Sequence, residues 1–322
     1  MTAEPQQEPT EKSRLAGWLK LAGTTAMFAV LFFVIPLNEV WSSLVKVNPF
    51  VWLGVFAGYV FGHALAAAKW RNLIGESISY WDALRAHFAG LAASLALPGV
   101  AGGDVVRAGL MMRSNVRKAD LVLASLVDRV IDTATLLAIS AVGVALLGTQ
   151  VGLDESWVYI ATASLTIIGF VSVMMLRPIA GLVGRIKAGG KAGRLLALLS
   201  EALQRMAGRK TTILACVVMS IAIQAGFAIL NAALSHSIGG PDSVALWLFA
   251  WPLAKLIATL PISIGGLGVR EAGLSSLMAP FTPTTAPVIA ASLMWQTILV
   301  AGGLLGASVQ VARPFAQTPK RT

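Results

Sequence analysis

Residues 97–107 read LPGVAGGDVVR and residues 260–270 read LPISIGGLGVR, so both carry the pattern L-P-x-x-x-G-G-x-x-x-R. The offset is the same at every matched position (261 − 98 = 163 and 270 − 107 = 163), which marks an internal duplication. Each copy interrupts an apolar segment, the first over residues 83–113 and the second over residues 244–279. Proline ends a helix that precedes it, and paired glycines allow backbone angles that other residues resist. The spacing therefore predicts two half-helices in each segment, flanking a non-helical turn around Gly102-Gly103 and Gly265-Gly266. Neither half is long enough to cross a bilayer comfortably, so a re-entrant hairpin is the expected geometry. Two short spans would leave the same ends on the same sides.

The rest of the chain supplies the membrane. Of its 322 residues 56% are hydrophobic and 12% charged, with a mean hydropathy of +0.75, whereas soluble domains carry about 25% charged residues. Apolar runs long enough to span the hydrocarbon core occupy residues 15–37, 50–68, 121–148, 157–176, 211–235 and 285–311. They are continuously apolar and do not alternate with period two, which argues against a β-barrel. The first run is too long for a signal-peptide core and lacks a following small-x-small cleavage pattern, so it reads as a retained span. The expectation is an all-α integral membrane protein with about six transmembrane helices plus two re-entrant helix-break-helix hairpins. Three spans separate the hairpins; an odd number makes them enter from opposite faces, the inverted-repeat arrangement in which substrate sites lie near the midplane. Residues 1–14 read as a disordered tail, residues 15–312 as one polytopic membrane domain and residues 313–322 as a second tail.

A formal charge of +10 would suit nucleic acid, but the placement of the charges argues for membrane orientation, so no nucleic-acid partner is expected. Lys12, Arg14 and Lys20 precede or open the first span, and Lys69, Arg71 and Arg85 follow the second. Arg113, Arg117 and Lys118 precede the third, and eight Lys and Arg from Arg177 to Lys210 fill the connection between the fourth and fifth. The alternate connections carry only Lys46. By the positive-inside rule both termini are cytoplasmic and the chain is a multi-pass protein of the cytoplasmic (inner) membrane. Within residues 177–210, Leu195, Leu196, Leu198, Leu199, Leu203 and Met206 recur at helical spacing among basic residues, as an interfacial amphipathic helix would.

Around each repeat the chemistry favours an anion. The second half-helix starts near the glycine pair, so free N–H groups and the positive dipole end point toward the turn. Arg107 and Arg270 follow about one helical turn later and can add the planar donors that suit a phosphate. Asp104 is a helix cap or a substrate contact, and Glu271 either neutralises Arg270 or carries a proton. Asp128 and Asp132 share a face of the third span at i and i+4, and Arg129 can reach Asp132 at i+3, which makes this trio a candidate gate or ligand network. Lys255 is expected to face a polar cavity. Gly54, Gly58, Gly62, Gly302 and Gly306 have no polar company and read as helix-packing glycines. His63, His87 and His236 are scattered without metal-ligand spacing, and the lone Cys216 permits neither an intrachain disulfide nor a structural zinc site. Nucleophile-elbow, P-loop and zinc-hydrolase motifs are missing, so no catalytic role, metal or cofactor is expected.

The segment from Leu97-Pro98 through Gly102-Gly103-Asp104 to Arg107, the Asp128-Arg129 and Asp132 cluster, and the run from Leu260-Pro261 through Gly265-Gly266 to Arg270-Glu271 together resemble the lysylphosphatidylglycerol synthase transmembrane family, also described as flippase-like. The resemblance covers nearly all of the chain after its first tail. Larger members fuse this module to a soluble aminoacyltransferase domain; with the chain ending at Thr322, soon after its last span, that activity is not expected here. What the resemblance implies is lipid handling, with the charged positions at Asp104, Arg107, Asp128, Arg129, Arg270 and Glu271. The leading expectation is a translocator, not driven by ATP, for a phosphate-bearing or polyprenyl-linked lipid with an anionic headgroup. The alternatives are a membrane enzyme using Asp128 and Asp132 as acid and base, or an assembly partner of a separately encoded envelope-biosynthesis enzyme.

Overall fold

The computed structural model describes residues 41–42, 45–75, 78–96, 101–112, 116–151, 156, 163, 176–186, 189–259 and 268–312. The first long helix, α1 (Pro49–Ile74), starts where Asn48 Oδ1 accepts the N–H of Phe50 at 2.9 Å and where Pro49 needs no N–H partner. It stops at Gly75, whose φ of 115° favours glycine. Helices α2 (Tyr80–Ala96) and α3 (Ala101–Met111) pack against each other, and α4 (Lys118–Val151) follows. The basic segment holds α5 (Leu176–Arg185) and α6 (Gly190–Ala207). The second half repeats the first as α7 (Lys210–Ser237), α8 (Val244–Ala258), α9 (Val269–Met278) and α10 (Ala286–Ala312).

Helices α1, α4, α7 and α10 are long and apolar enough to cross a membrane and occupy the runs expected at residues 50–68, 121–148, 211–235 and 285–311. The runs at residues 15–37 and 157–176, and both tails, lie outside the described residues. Shifted by 163, residues 49–74 fall on 212–237, residues 80–96 on 243–259, residues 101–111 on 264–274 and residues 118–151 on 281–314. The duplication read from eleven residues thus extends over α1 to α4 and α7 to α10. The packing respects it: α2 against α10 is matched by α8 against α4, and α1 against α2 by α7 against α8.

The corresponding helices α1 and α7 touch each other and run antiparallel. Gly58 meets Leu230, Gly62 meets Phe227, and Cys216 Sγ donates to the carbonyl of Lys69, so the partner number falls as the α1 number rises. A rotation that reverses a helix must have its axis across the helices, so the two halves form an inverted repeat. Gly143 and Gly306 are equivalent (143 + 163 = 306) and do the same work. A Cβ at Gly143 would lie 2.7 Å from the carbonyl carbon of Leu248, and one at Gly306 would lie 2.9 Å from that of Phe88. Each glycine lets a long helix of one half touch the backbone of the half-helix in the other. Gly58, Gly62 and Gly302 are also packing positions; a Cβ at Gly54 would meet nothing within 4 Å among the described residues.

The expectation of a non-helical Gly102-Gly103 is corrected: both residues form the first turn of α3, and only residues 97–100 separate it from α2. Gly103 serves contact rather than unwinding. A Cβ on Gly103 would lie 2.6 Å from the Gly90 carbonyl oxygen, and one on Gly90 would lie 2.7 Å from that of Gly103. Residues 97–100, with Pro98, and residues 260–267, with Pro261, Gly265 and Gly266, lie outside the described residues.

The helix expected on Leu195 to Met206 is α6, and α5 precedes it within the segment 177–210. Ser200 Oγ donates to the Ala180 carbonyl at 2.8 Å, and Ala180, Ala202, Leu203 and Met206 join a core with Leu121 and Ile213. Arg205 and Asp120 pair at 2.6 Å and hold α6 to the start of α4. Leu198 is exposed, and the side chains of Leu195 and Leu199 lie outside the described residues.

Candidate functional site

Lys69 is the centre of the site. It lies in the last turns of α1 but is only 1% exposed, with Nζ 3.0 Å from Asp128 Oδ1 and in contact with Asp132 Oδ1. The two carboxylates come to it together because they sit one turn apart on α4. Ser220 of α7 donates to Asp132 Oδ1 at 2.5 Å and lies 2.8 Å from the Thr135 hydroxyl. Read from sequence alone, Lys69 was a positive flank of the second span; the structure makes it a buried counterion. Desolvating a lone ammonium costs several kcal/mol, and two carboxylates offset that cost here.

Arg107 of α3 closes the other side of Asp128. Its Nη2 is 3.2 Å from Asp128 Oδ2 and 3.2 Å from Asp104 Oδ1, and its guanidinium lies over the Trp70 ring at 4.4 Å. Arg129 donates through Nε to Asp104 Oδ2 at 2.8 Å and also contacts it through Nη2. The expected Arg129–Asp132 pairing is thereby corrected: Arg129 points away from the buried face of α4, is half-exposed and reaches α3, while Asp132 turns to Lys69. The Asp104–Arg129 pair therefore ties α3 to α4, and Asp104 is an ion-pair partner within the site.

Two of the three histidines meet, and His236 stands apart at the end of α7. His63 Nδ1 and His87 Nε2 are 2.9 Å apart, and His87 Nδ1 is 3.2 Å from Arg107 Nη1. A guanidinium N–H only donates, so His87 Nδ1 must accept. With His87 neutral, its proton is on Nε2 and is donated to His63 Nδ1. No group of three or more His, Cys, Asp or Glu with metal-holding geometry occurs among the described residues.

These groups surround a cavity of about 220 Å³. Six helices supply its polar lining, five of them as follows: His63 and Lys69 from α1, His87 and Ser94 from α2, Gly103, Asp104 and Arg107 from α3, Asp128, Arg129 and Asp132 from α4, and Gln224 from α7. Lys255 of α8, in the second repeat's half-helix pair, completes it. Lys255 Nζ donates to Gln224 Oε1 at 2.8 Å and faces the rings of Trp251 at 4.9 Å and Phe227 at 5.8 Å. Its sequence expectation, a polar cavity, matches its place. The residues that sequence reasoning passed over are Lys69, His63, His87 and Gln224.

Arg270 and Glu271 belong to a different network. Arg270 Nη2 is 2.7 Å from Glu271 Oε1, its Nε donates to Ser292 Oγ at 3.0 Å, and Nη2 also reaches the Ser292 carbonyl and Gln296 Oε1. Glu271 is 1% exposed and accepts the Gly268 N–H at 2.8 Å and the Ser292 hydroxyl at 2.8 Å. Arg107 reaches Asp128 on α4, whose repeat equivalent is residue 291 (128 + 163), and Arg270 reaches Ser292 on α10. The two arginines thus make the same helix-to-helix contact. Arg107 lines the cavity; Arg270 is held by its own neighbours and is not in that lining.

No curated protein is significantly similar to the chain in sequence. A family model described as the lysylphosphatidylglycerol synthase TM region matches residues 17–306, or 306 − 17 + 1 = 290 of the 322 residues, and takes in both repeats and the cavity. With four helices long and apolar enough to cross a membrane among the described residues, the chain is a multi-pass membrane protein and belongs to the lysylphosphatidylglycerol synthase TM-region family.

Proposed function

We propose that the chain is a lipid translocator of the cytoplasmic membrane, with both termini cytoplasmic, which moves a lipid carrying an anionic phosphate headgroup and draws no energy from ATP. The observation that carries this reading is one polar cavity closed by α1 to α4 of the first repeat together with α7 and α8 of the second. Asp132 lies 14 residues into α4, about 21 Å along a helix about 51 Å long at 1.5 Å per residue, so this carboxylate is far from either end of α4. Charge at that depth is expensive and marks a pathway or binding site. Inverted repeats around such a site suit two conformations that open it to opposite faces. The enzyme reading finds less support, because Asp128 and Asp132 both hold Lys69 and neither is poised as an acid or base. The TM-region family places the chain in lipid-related processes.

The test is protein-dependent loss of asymmetry in vesicles. A fluorescent phosphatidylglycerol or polyprenyl phosphate is reconstituted with the purified protein, and the fraction quenched by an impermeant reductant is followed in time. Wild type should exceed empty vesicles, and Arg107→Lys, which keeps the charge but loses the planar fork between Asp104 and Asp128, should fold and translocate more slowly. No acceleration over empty vesicles for any anionic lipid would overturn the proposal.

A further inference from the structure

Four cations line the cavity, Lys69, Arg107, Arg129 and Lys255, against three carboxylates, Asp104, Asp128 and Asp132. The carboxylates are all engaged: Asp128 and Asp132 with Lys69, Asp104 and Asp128 with Arg107, and Asp104 with Arg129. Among the described residues Lys255 has no carboxylate within ion-pair distance; its partners are the neutral Gln224 amide and two aromatic faces. Amide and ring faces orient an ammonium without neutralising it. The cavity therefore presents an excess of one positive charge, held in place and pointed inward.

We infer that Lys255 is the residue that pairs with the anionic group of the cavity's occupant, and that this occupant is a phosphodiester headgroup with a single net negative charge. Resting on the translocator reading, this assigns the recognition residue and the charge class of the substrate. One excess cation matches one phosphodiester charge. Size agrees: about 220 Å³ is below the roughly 300–1,000 Å³ typical of sites that enclose a drug-sized ligand. The space admits a headgroup and leaves acyl chains in the bilayer. Phosphatidylglycerol meets both conditions; a zwitterionic headgroup brings its own cation toward Lys255 and does not.

The probes are short-chain phosphatidylglycerol, short-chain phosphatidylcholine and inorganic phosphate, titrated against the purified full chain in a zwitterionic detergent and read by thermal shift and calorimetry. Wild type should bind the phosphatidylglycerol most tightly. Lys255→Met should lose on the order of tenfold or more of that affinity and with it the preference over phosphatidylcholine, while Lys255→Arg retains the preference. In the absence of probe, Lys255→Met should melt no lower than wild type, because methionine fills the same aromatic site without an uncompensated charge. A Lys255→Met protein that binds phosphatidylglycerol as wild type does overturns the inference, and so does one that melts well below wild type, since Lys255 is then a structural contact. If inorganic phosphate binds as tightly as the short-chain lipid, the lipid-borne source is overturned. The two proposals fail separately: wild type that binds but does not translocate removes the translocator and leaves the anion site, whereas equal binding and translocation by Lys255→Met removes Lys255 and leaves the translocator.

Discussion

Removing Lys69 should do more damage than its place near the end of α1 suggests. Lys69→Met keeps the stem and deletes the ammonium that bridges Asp128 and Asp132. Asp128, with its side chain 8% exposed, retains Arg107 at 3.2 Å. Asp132, 28% exposed, retains the Ser220 hydroxyl at 2.5 Å and loses its ion-pair partner among the described residues. Stripping one member from a buried pair costs about 3 to 5 kcal/mol; Asp132's partial exposure and the surviving Arg107 contact place this case near the lower end, about 3 kcal/mol. The comparison that isolates the interaction is a double-mutant cycle with Asp132→Asn, which removes the charge that Lys69→Met strands. The double variant should recover about 1 to 3 kcal/mol relative to the sum of the singles. Unfolding is followed by circular dichroism as denaturing detergent replaces a mild one, at fixed lipid and protein concentration. Loss of less than about 1 kcal/mol in Lys69→Met, with no recovery in the double variant, would refute the assignment of Lys69 as the site's central counterion.

Arg270→Ala should destabilise by about 3 to 5 kcal/mol, because Glu271 is then left buried and charged with Ser292 and the Gly268 N–H as its remaining partners; the same unfolding assay measures it. Gly143→Ala and Gly306→Ala should each cost about 1 to 3 kcal/mol, since the added carbon meets backbone that cannot swing aside. Gly226→Ala in α7 meets nothing within 4 Å and should instead stabilise by about 0.5 to 1 kcal/mol, and parallel melts of the three variants decide the point.

The duplication was legible because proline and paired glycines are rare enough together that a constant offset of 163 stands out, and Gly143 and Gly306 then obey it in three dimensions. Helix identity near the glycines was not legible. The pair Gly102-Gly103 looked like a turn because glycine permits one, whereas here both are helical and Gly103 brings α3 against Gly90. Lys69 was hidden by a sound rule: basic residues just past a span usually flank it. The helix runs on to Ile74, and Ala67, Trp70, Leu73 and Ile74 around Lys69 are all buried, so the ammonium is drawn inside. A signal was present in Asp128 and Asp132, two carboxylates on one face that required more cation than Arg129 supplies. His63 and His87, 24 residues apart, meet because α2 folds back on α1, a contact that no local spacing encodes.

In a translocator, the one cavity built from both inverted repeats opens to each side of the membrane in turn. Ser94 lines that cavity from α2, and Cys216 is fully buried and remote from solvent. Ser94→Cys in a Cys216→Ser background therefore gives a single reporter thiol. Sealed vesicles are treated with an impermeant maleimide applied from the cytoplasmic side in one sample and from the opposite side in another. A translocator should be labelled from both sides, with each rate lowered by saturating short-chain phosphatidylglycerol. Labelling from one side alone, unchanged by lipid, would make the cavity a fixed vestibule and contradict translocation through it.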